Sequence, residues 1–342
     1  MNRLVPLLLL LVCGAGCKPG DKPANTVVVY ASVDDVFARP IAEEFQEQTG
    51  IEVKLVPDTE ETKSAGLLNR LIAEKARPRA DVFWSGDPVR AAVLKAKGIS
   101  APYKPANPAD TTGRYSDSAG YWTALSARAR VIIYNTELVS AGQEPKSLND
   151  FLDPKWRGSK VCLANPLFGT TSMHAVALFA VLRDDKAKAF FGGLRANEVK
   201  MLSSNGEVKR RVAAGDFAFG LTDTDDASVA SKEGRPVGMV YPDQDGMGTL
   251  IVPNAAVLIA NGPSPENGKK FIDYLLTPEV EKALAESEAA QMPLRPSVTV
   301  PPSVMRVSDI KAMSVDYARL ATRLEALSKG WLKEWAAQMS AP

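Results

Sequence analysis

Asp81-Val82-Phe83-Trp84-Ser85-Gly86-Asp87-Pro88-Val89-Arg90 reads as a strand that ends and a helix that begins almost at once. The apolar run to Ser85 suits a strand covered on both faces. Asp87 then takes the N-cap position, where a carboxylate accepts from free amides, and Pro88 fits the first helical position, where its missing N–H costs nothing. Val89 and Val93 mark the apolar face of that helix and Gly98 its exit. Two earlier units share this grammar. Thr26 to Ala31 is a β-branched strand, after which Pro40 is expected to open a helix carrying Ile41 and Phe45 and ending at Gly50. Ile51 to Val56 is the next strand, followed by a helix with Leu67, Leu68, Leu71 and Ile72 on one face. A βαβαβα series implies a parallel sheet with helices on both faces.

The pattern recurs downstream. Ser159 to Ala164 predicts a strand, and Gly169-Thr170-Thr171-Ser172 opens a helix carrying Val176, Phe179 and Leu182. Asn205 is expected to cap a helix ending at Gly215, and Phe217 to Leu221 predicts a strand running into Thr222-Asp-Thr-Asp-Asp226. Leu250 to Val252 and Ala256 to Ile259, broken at Pro253-Asn254, suit a strand passing between lobes. Capped helices start at Ser264-Pro-Glu266 and Thr277-Pro-Glu279. A last helix carries Leu320, Leu324, Leu327, Trp331 and Trp335 as a core-packing stripe. The fold class is therefore α/β with two lobes, and the crevice at the strand C-terminal ends, where their loops converge, is where chemistry is expected.

Composition narrows the function. The chain has 342 residues, a net charge of +1 and interspersed acids and bases, so no basic stripe marks nucleic acid as a partner. Arg3, the apolar run Leu4 to Val12 and the small residues Gly14-Ala15-Gly16 before Cys17 resemble a bacterial lipoprotein signal. Residues 1–17 would then be the signal peptide, Cys17 the lipidated residue and 18–25 a flexible tether, with the membrane met through the lipid alone. Cys162 would be the only thiol remaining, a buried strand residue. His174 is the only histidine and reads more readily as a structural residue than as a ligand, though an anion beside it would keep it protonated. No G-x-S-x-G or H-E-x-x-H is present, so no nucleophile and base are assembled for an enzyme.

Five stretches carry a family resemblance: Val27 to Tyr30, Ala80 to Ser85, Tyr121 to Tyr134, Gly215 to Leu221 and Gln291-Met-Pro-Leu-Arg-Pro-Ser297. In them the chain resembles the ferric-ion-binding proteins of bacterial ABC importers, within the extracellular solute-binding proteins. The resemblance implies a type II periplasmic-binding-protein fold whose lobes close about a hinge of crossing strands. Residues 26–127 with about 254–302 would form the N-lobe, and 128–253 with about 303–342 the C-lobe. It also implies a permease and an ATPase as partners, an extracytoplasmic location, a monomer, a small charged solute as cargo and no cofactor.

The site implied by the resemblance is altered. The family's adjacent metal-gripping tyrosines fall on Asp225 and Asp226, its metal-ligating histidine on Asp34, and its glutamate on Gly86, with Asp87 beside it. The anion half corresponds to Gly169, Thr170, Thr171, Ser172, Asn205 and Thr224, with Arg128 facing the cleft. A metal, if held, would lie among Asp34, Asp225 and Asp226. The aspartates at 34, 35, 223, 225 and 226 are also readable as helix caps and Asp87 more readily as a cap than as a ligand contact, and Gly246-Met-Gly248-Thr249 as a turn at the cleft rim. Cargo remains open at this stage between ferric ion with an anion, a zwitterion such as an aminoalkylphosphonate, and a phosphorylated or carboxylated metabolite. A tethered surface hydrolase and a ligand-sensor subunit are the competing functions.

Overall fold

The computed structural model describes residues 25–58, 65–110, 113–158 and 160–340. The first lobe opens with β1 (Thr26–Ala31), α1 (Asp35–Thr49), β2 (Glu52–Pro57), α2 (Ala65–Ala73), β3 (Val82–Ser85), α3 (Pro88–Ala96) and the short β4 (Ser100–Ala101). β5 (Thr123–Asn135) crosses into the second lobe. There follow β6 (Val161–Ala164), α4 (Gly169–Ala196), β7 (Lys200–Leu202), α5 (Asn205–Ala213), β8 (Phe219–Asp223), α6 (Thr224–Lys232) and β9 (Val237–Val240). β10 (Ile251–Ile259) crosses back, and α7 (Pro265–Leu275), α8 (Pro278–Glu286), α9 (Tyr317–Lys329) and α10 (Trp331–Met339) complete the chain.

The strands run in the order β2-β1-β3-β10-β5-β8-β6-β7. β1 pairs in parallel with β2 and β3, and β6 in parallel with β7 and β8. β5 and β10 join these halves as antiparallel partners. Thr123 to Ala129 pairs with β10, while Arg130 to Asn135 turns its hydrogen bonds to β8 and β9. β10 is one buried strand, not two pieces: Pro253 and Asn254 are absorbed by a register shift at Asn254/Ala255.

One apolar cluster runs through the crossing, from Leu71, Phe83 and Leu94 through Val131 and Ile133 to Phe179, Phe219, Leu324 and Trp335. A second, under α1, α7 and α8, gathers Phe45, Trp84, Phe271 and Leu284. Trp84 is therefore a core residue whose edge reaches the cleft wall.

Several expected boundaries move. α1 starts at Asp35, and Pro40 sits inside it, its ring accommodated at the loss of one backbone bond close to the helix start. Ser204, not Asn205, caps α5 by accepting from the Glu207 amide. The final stripe is two helices, because Gly330 leaves helical geometry (φ −107, ψ −115). Trp331 and Trp335 still pack as expected, edge-on to Phe191. Gly246 to Thr249 lies away from the cleft, against Lys311 to Met313, where the Thr249 amide donates to the Lys311 carbonyl at 2.8 Å. Gly248 adopts φ +85, and a Cβ there would stand 2.6 Å from the Lys311 carbonyl oxygen. Gly248→Ala is expected to lower the unfolding free energy by about 2–3 kcal/mol, read from urea melts at unchanged m-value. A loss within error would show that this junction yields freely.

Candidate functional site

The cleft between the lobes encloses about 250 Å³. Its walls come from the β1–α1 loop (Asp34), from the start of α4 (Gly169, Thr170, Thr171) and from the start of α5 (Asn205, Lys209, Arg210). The β8–α6 junction (Asp223, Asp225, Asp226) and the crossing strands (Arg128, Asn254) supply the rest. Each loop sits at the C-terminal end of a strand, as the alternating pattern predicts.

At the back of the cleft a polar network is built on strand geometry. Arg128 and Arg130 are two apart on β5, so their side chains leave the same face, and Arg130 stands in register with Asp223 of β8. Arg130 Nη1 donates to Asp223 Oδ1 at 2.8 Å, Thr170 Oγ1 at 3.0 Å and Asn205 Oδ1 at 3.1 Å, and Nη2 donates to Thr171 Oγ1 at 3.2 Å. Arg128 Nε donates to Asp223 Oδ2 at 3.3 Å and its Nη1 to Asn254 Oδ1 at 3.0 Å. Asp223 Oδ2 also accepts from Thr170 Oγ1 at 2.6 Å and Asn205 Nδ2 at 3.3 Å. Burial alone would raise the Asp223 pKa, but Arg130, Arg128 and the Thr170 hydroxyl outweigh it and hold the carboxyl below its ordinary value.

Asp225 is tuned the other way. Burial, with Asp223, Asp226 and Asp34 nearby, overcomes the pull of Arg128 at 3.7 Å and lifts its pKa to about 7. Burial by itself would lower the Arg128 pKa, yet Asp225, Asp223, Asp34 and Asp87 together raise it. Carboxylate oxygens of Asp223, Asp225 and Asp226 lie within 4.8 Å of one another, a geometry open to a cation. Asp226 also accepts from Thr222 Oγ1 at 2.7 Å and stands 4.0 Å from Lys209 Nζ.

The caps discriminate among the aspartates. Asp87 is a cap: Oδ1 accepts from the Arg90 amide at 3.0 Å, and Oδ2 pairs with the same residue's guanidinium at 2.9 Å. Asp34 and Asp223 occupy N-cap positions, yet neither makes a side-chain cap bond. Both residues line the cleft, where the Asp223 carboxylate is taken up by Arg128 and Arg130. α4 begins after Phe168, which has no side chain able to cap it. The first intrahelical donor there is Ser172, bonded to the Phe168 carbonyl at 3.1 Å. The Gly169, Thr170 and Thr171 amides at the cleft therefore form the partly positive end of a helix, a suitable seat for an anion.

Eight of the expected residues are brought to the cleft: Asp34, Arg128, Gly169, Thr170, Thr171, Asn205, Asp225 and Asp226. Ser172 is not among them. Its hydroxyl accepts from Arg90 Nη2 at 2.7 Å and donates to the Gly169 carbonyl at 2.8 Å, facing α3. Thr224 is also turned away, its Oγ1 accepting from the Ala129 amide at 3.2 Å. Gly86 does not line the cleft, since it packs under Arg128, whose Nη2 would be 3.3 Å from an added Cβ. His174 is neutral rather than protonated: burial, with Arg130 near, pushes its pKa down to about 3, and neither ring nitrogen has a hydrogen-bond partner among the described residues. It lies behind the cleft in an apolar pocket with Leu178 and Phe191. Cys162 is a buried strand thiol with its pKa pushed up by burial, whereas Cys17 lies outside the described residues.

Arg130, at the centre of the network, lies outside the sequence expectation, and Asp223, weighed there as a cap or as part of an acidic cluster, proves to be its partner. The available signal was Arg128-Ala129-Arg130 in an apolar strand, where period two makes both arginines neighbours. Lys209 and Arg210 were hidden because an exposed helix face is rich in such residues anyway.

Two hinged lobes around a small, charge-lined cleft define a solute-binding protein. The chain belongs to the bacterial extracellular solute-binding protein family, whose model matches residues 40–312. It is 26% identical over 310 residues to the major ferric iron-binding protein of Neisseria meningitidis (serogroup A), covering 87% of this chain and 91% of that one. It is 28% identical over 310 residues to a putative 2-aminoethylphosphonate-binding periplasmic protein of Salmonella typhimurium, covering 87% of each. The structure of the periplasmic binding protein AfuA from Actinobacillus pleuropneumoniae, with fructose-6-phosphate bound, superposes with a TM-score of 0.80 at 20% identity over 90% of this chain and 98% of that one.

Two outcomes test the site. Arg130→Met, which strands the buried Asp223 carboxylate, is expected to cost roughly 3–5 kcal/mol in urea unfolding; a cost under about 1 kcal/mol would mean water replaces the guanidinium. For Asp225, the folded state holds its proton up to about pH 7, while the unfolded carboxyl loses it near its ordinary value of 3.8. Stability therefore falls as pH rises through that window and levels off above it. Asp225→Asn is expected to melt a few degrees above the wild type at pH 8, with the gap closing toward pH 4. A gap independent of pH would refute the assignment.

Proposed function

We propose that this protein is the substrate-binding component of a bacterial ABC importer, and that its cargo is a small zwitterion of the aminoalkylphosphonate class. The observation that carries this reading is the side-by-side placement of unlike charges in one small cleft. The uncapped α4 amides, Lys209 and Arg210 suit a phosphonate or phosphate group. Asp34 from one lobe and Asp225 and Asp226 from the other suit an ammonium group. A cation held between Asp34 and Asp225 is contacted from both lobes, so binding favours the closed form by the difference in affinity between the two states. Capture by closure needs no nucleophile and no resident cofactor.

In this reading the N-lobe comprises 26–127 and about 254–302, and the C-lobe 128–253 and about 303–342. Cys17 is the lipid anchor and 18–25 the tether that holds a monomer on the extracytoplasmic side of a membrane. The permease and ATPase receive the closed form. The Salmonella relative's name lends support, at an identity slightly above that of the iron-binding relative.

Ferric ion with an anion is the second reading, favoured by the clustered oxygens of Asp223, Asp225 and Asp226. Against it, Asp223 is already engaged by two arginines, and none of the eight tyrosines lines the cleft among the described residues.

Thermal shift and calorimetry with 2-aminoethylphosphonate, fructose 6-phosphate and ferric salt with phosphate separate these cargoes. The aminophosphonate at 100 times its Kd is expected to add about 2.7 kcal/mol of stability. Asp34→Ala and Lys209→Ala are each expected to weaken it tenfold or more. Stabilisation by iron with phosphate alone would overturn the zwitterion, and a response to fructose 6-phosphate untouched by Asp34→Ala would remove the ammonium site.

A further inference from the structure

The resemblance assigned Thr170, Asn205 and Arg128 to an external anion, but their polar groups converge on a carboxylate of the chain itself. Both oxygens of Asp223 are used: Oδ1 by Arg130, and Oδ2 by Thr170, Asn205 and Arg128. Asp223 is buried, and so is Arg130, whose Nε has no hydrogen-bond partner among the described residues. One buried donor of this corner is therefore left unpaired even with Asp223 present. Asp225, 3.7 Å from Arg128, is the next carboxylate, and burial favours its neutral form. Nor is Asp223 accounted for as a helix cap, because its side chain caps nothing on α6.

We propose that Asp223 is a built-in counter-anion, which fills the side-chain half of the anion cradle and so determines that no separate free anion accompanies the cargo there. The cargo's own anionic group is left the α4 backbone amides with Lys209 and Arg210. Removing the Asp223 carboxylate leaves two guanidinium groups, one hydroxyl and one amide aimed at a space of carboxylate size. Such a set of donors takes an oxyanion from solution, phosphate or a small carboxylate alike. The inference concerns what occupies the back of the cleft and does not depend on which cargo is carried.

The test compares wild-type protein with Asp223→Ala and the nearly isosteric Asp223→Asn, using sodium phosphate and sodium acetate as probes and sodium chloride at matched ionic strength as control. Both variants are expected to melt several degrees below wild type. Asp223→Ala should recover a large part of that loss in tens of millimolar acetate or phosphate, with wild type unmoved by acetate. By calorimetry, phosphate is expected to bind Asp223→Ala at least tenfold more tightly than wild type. If Asp223→Ala folds only when refolded with phosphate or acetate, the rescue itself supports the assignment. If neither variant folds in any of the three salts, or if acetate recovers nothing and phosphate affinity matches that of wild type, the counter-anion role is overturned. Neither result alters the aminophosphonate titration of wild-type protein, so failure here and failure of the zwitterion reading are separable.

Discussion

The cleft depends on two guanidinium groups projected from one buried strand toward a single carboxylate. Arg128 and Arg130 share a face of β5 where that strand leaves its pairing with β10 for β8 and β9. Two desolvated cations so close are costly unless an anion lies between them. Asp223, at the end of β8, supplies it at 2.8 Å from Arg130 and 3.3 Å from Arg128. The same contact fixes the starts of α4 and α5, since Thr170, Thr171 and Asn205 are all bonded into it. The orientation of the cleft's helix termini is thus set from behind, before any solute arrives, and preorganisation of this kind reduces the ordering cost of binding.

A second buried pair links the lobes. Asp87 and Arg90 sit in the first turn of α3, and Arg90 reaches the Gly169 carbonyl at 3.3 Å and the Ser172 hydroxyl at 2.7 Å on α4. The continuous apolar cluster through β5 also spans both lobes. The second cluster, beneath α1, α7 and α8, belongs to one lobe only. Packing is therefore continuous where the strands cross and interrupted where the cleft opens. Such a distribution favours a hinge with a fixed pivot over free sliding of the lobes.

The alternation of strands and capped helices was legible because each element carries its own local signal: β-branched runs, Asp87-Pro88, Gly50 and Gly98. Loops at strand ends could be located for the same reason, while Asp34, Gly169 and Asp225 within them were singled out by what the family resemblance implies. Long-range partnership is not a local property. Ser172 and Thr224 are hydroxyl residues near the cleft in sequence, but whether they face solute or protein depends on Arg90 and on the Ala129 amide, both distant in the chain. Arg130 was illegible for a related reason, since a buried arginine is recognisable only once its counterion is known. His174 shows the limit of charge reasoning from proximity: desolvation and the Arg130 cation together outweigh the pull of Asp223, so the ring stays without a second proton.

The opposite tuning of Asp223 and Asp225 gives the cleft a division of labour. Asp223 stays ionised because its charge is matched within the protein, and an ion so matched has little attraction left for a solute. Asp225 has only a share of Arg128 and lies among other carboxylates, so its charge is incompletely compensated and its proton is retained near neutrality. An ammonium group placed between Asp34 and Asp225 would favour the ionised form, and the proton would leave as the cation arrives. Part of the binding free energy would be consumed in that exchange below pH 7, and less of it above. A neutral or purely anionic solute offers no such compensation, and beside it Asp225 would keep its proton up to about pH 7. In the zwitterion reading, selection for a positively charged group follows from leaving one aspartate without a full partner, whereas the fixed part of the site is built from the aspartate that has two.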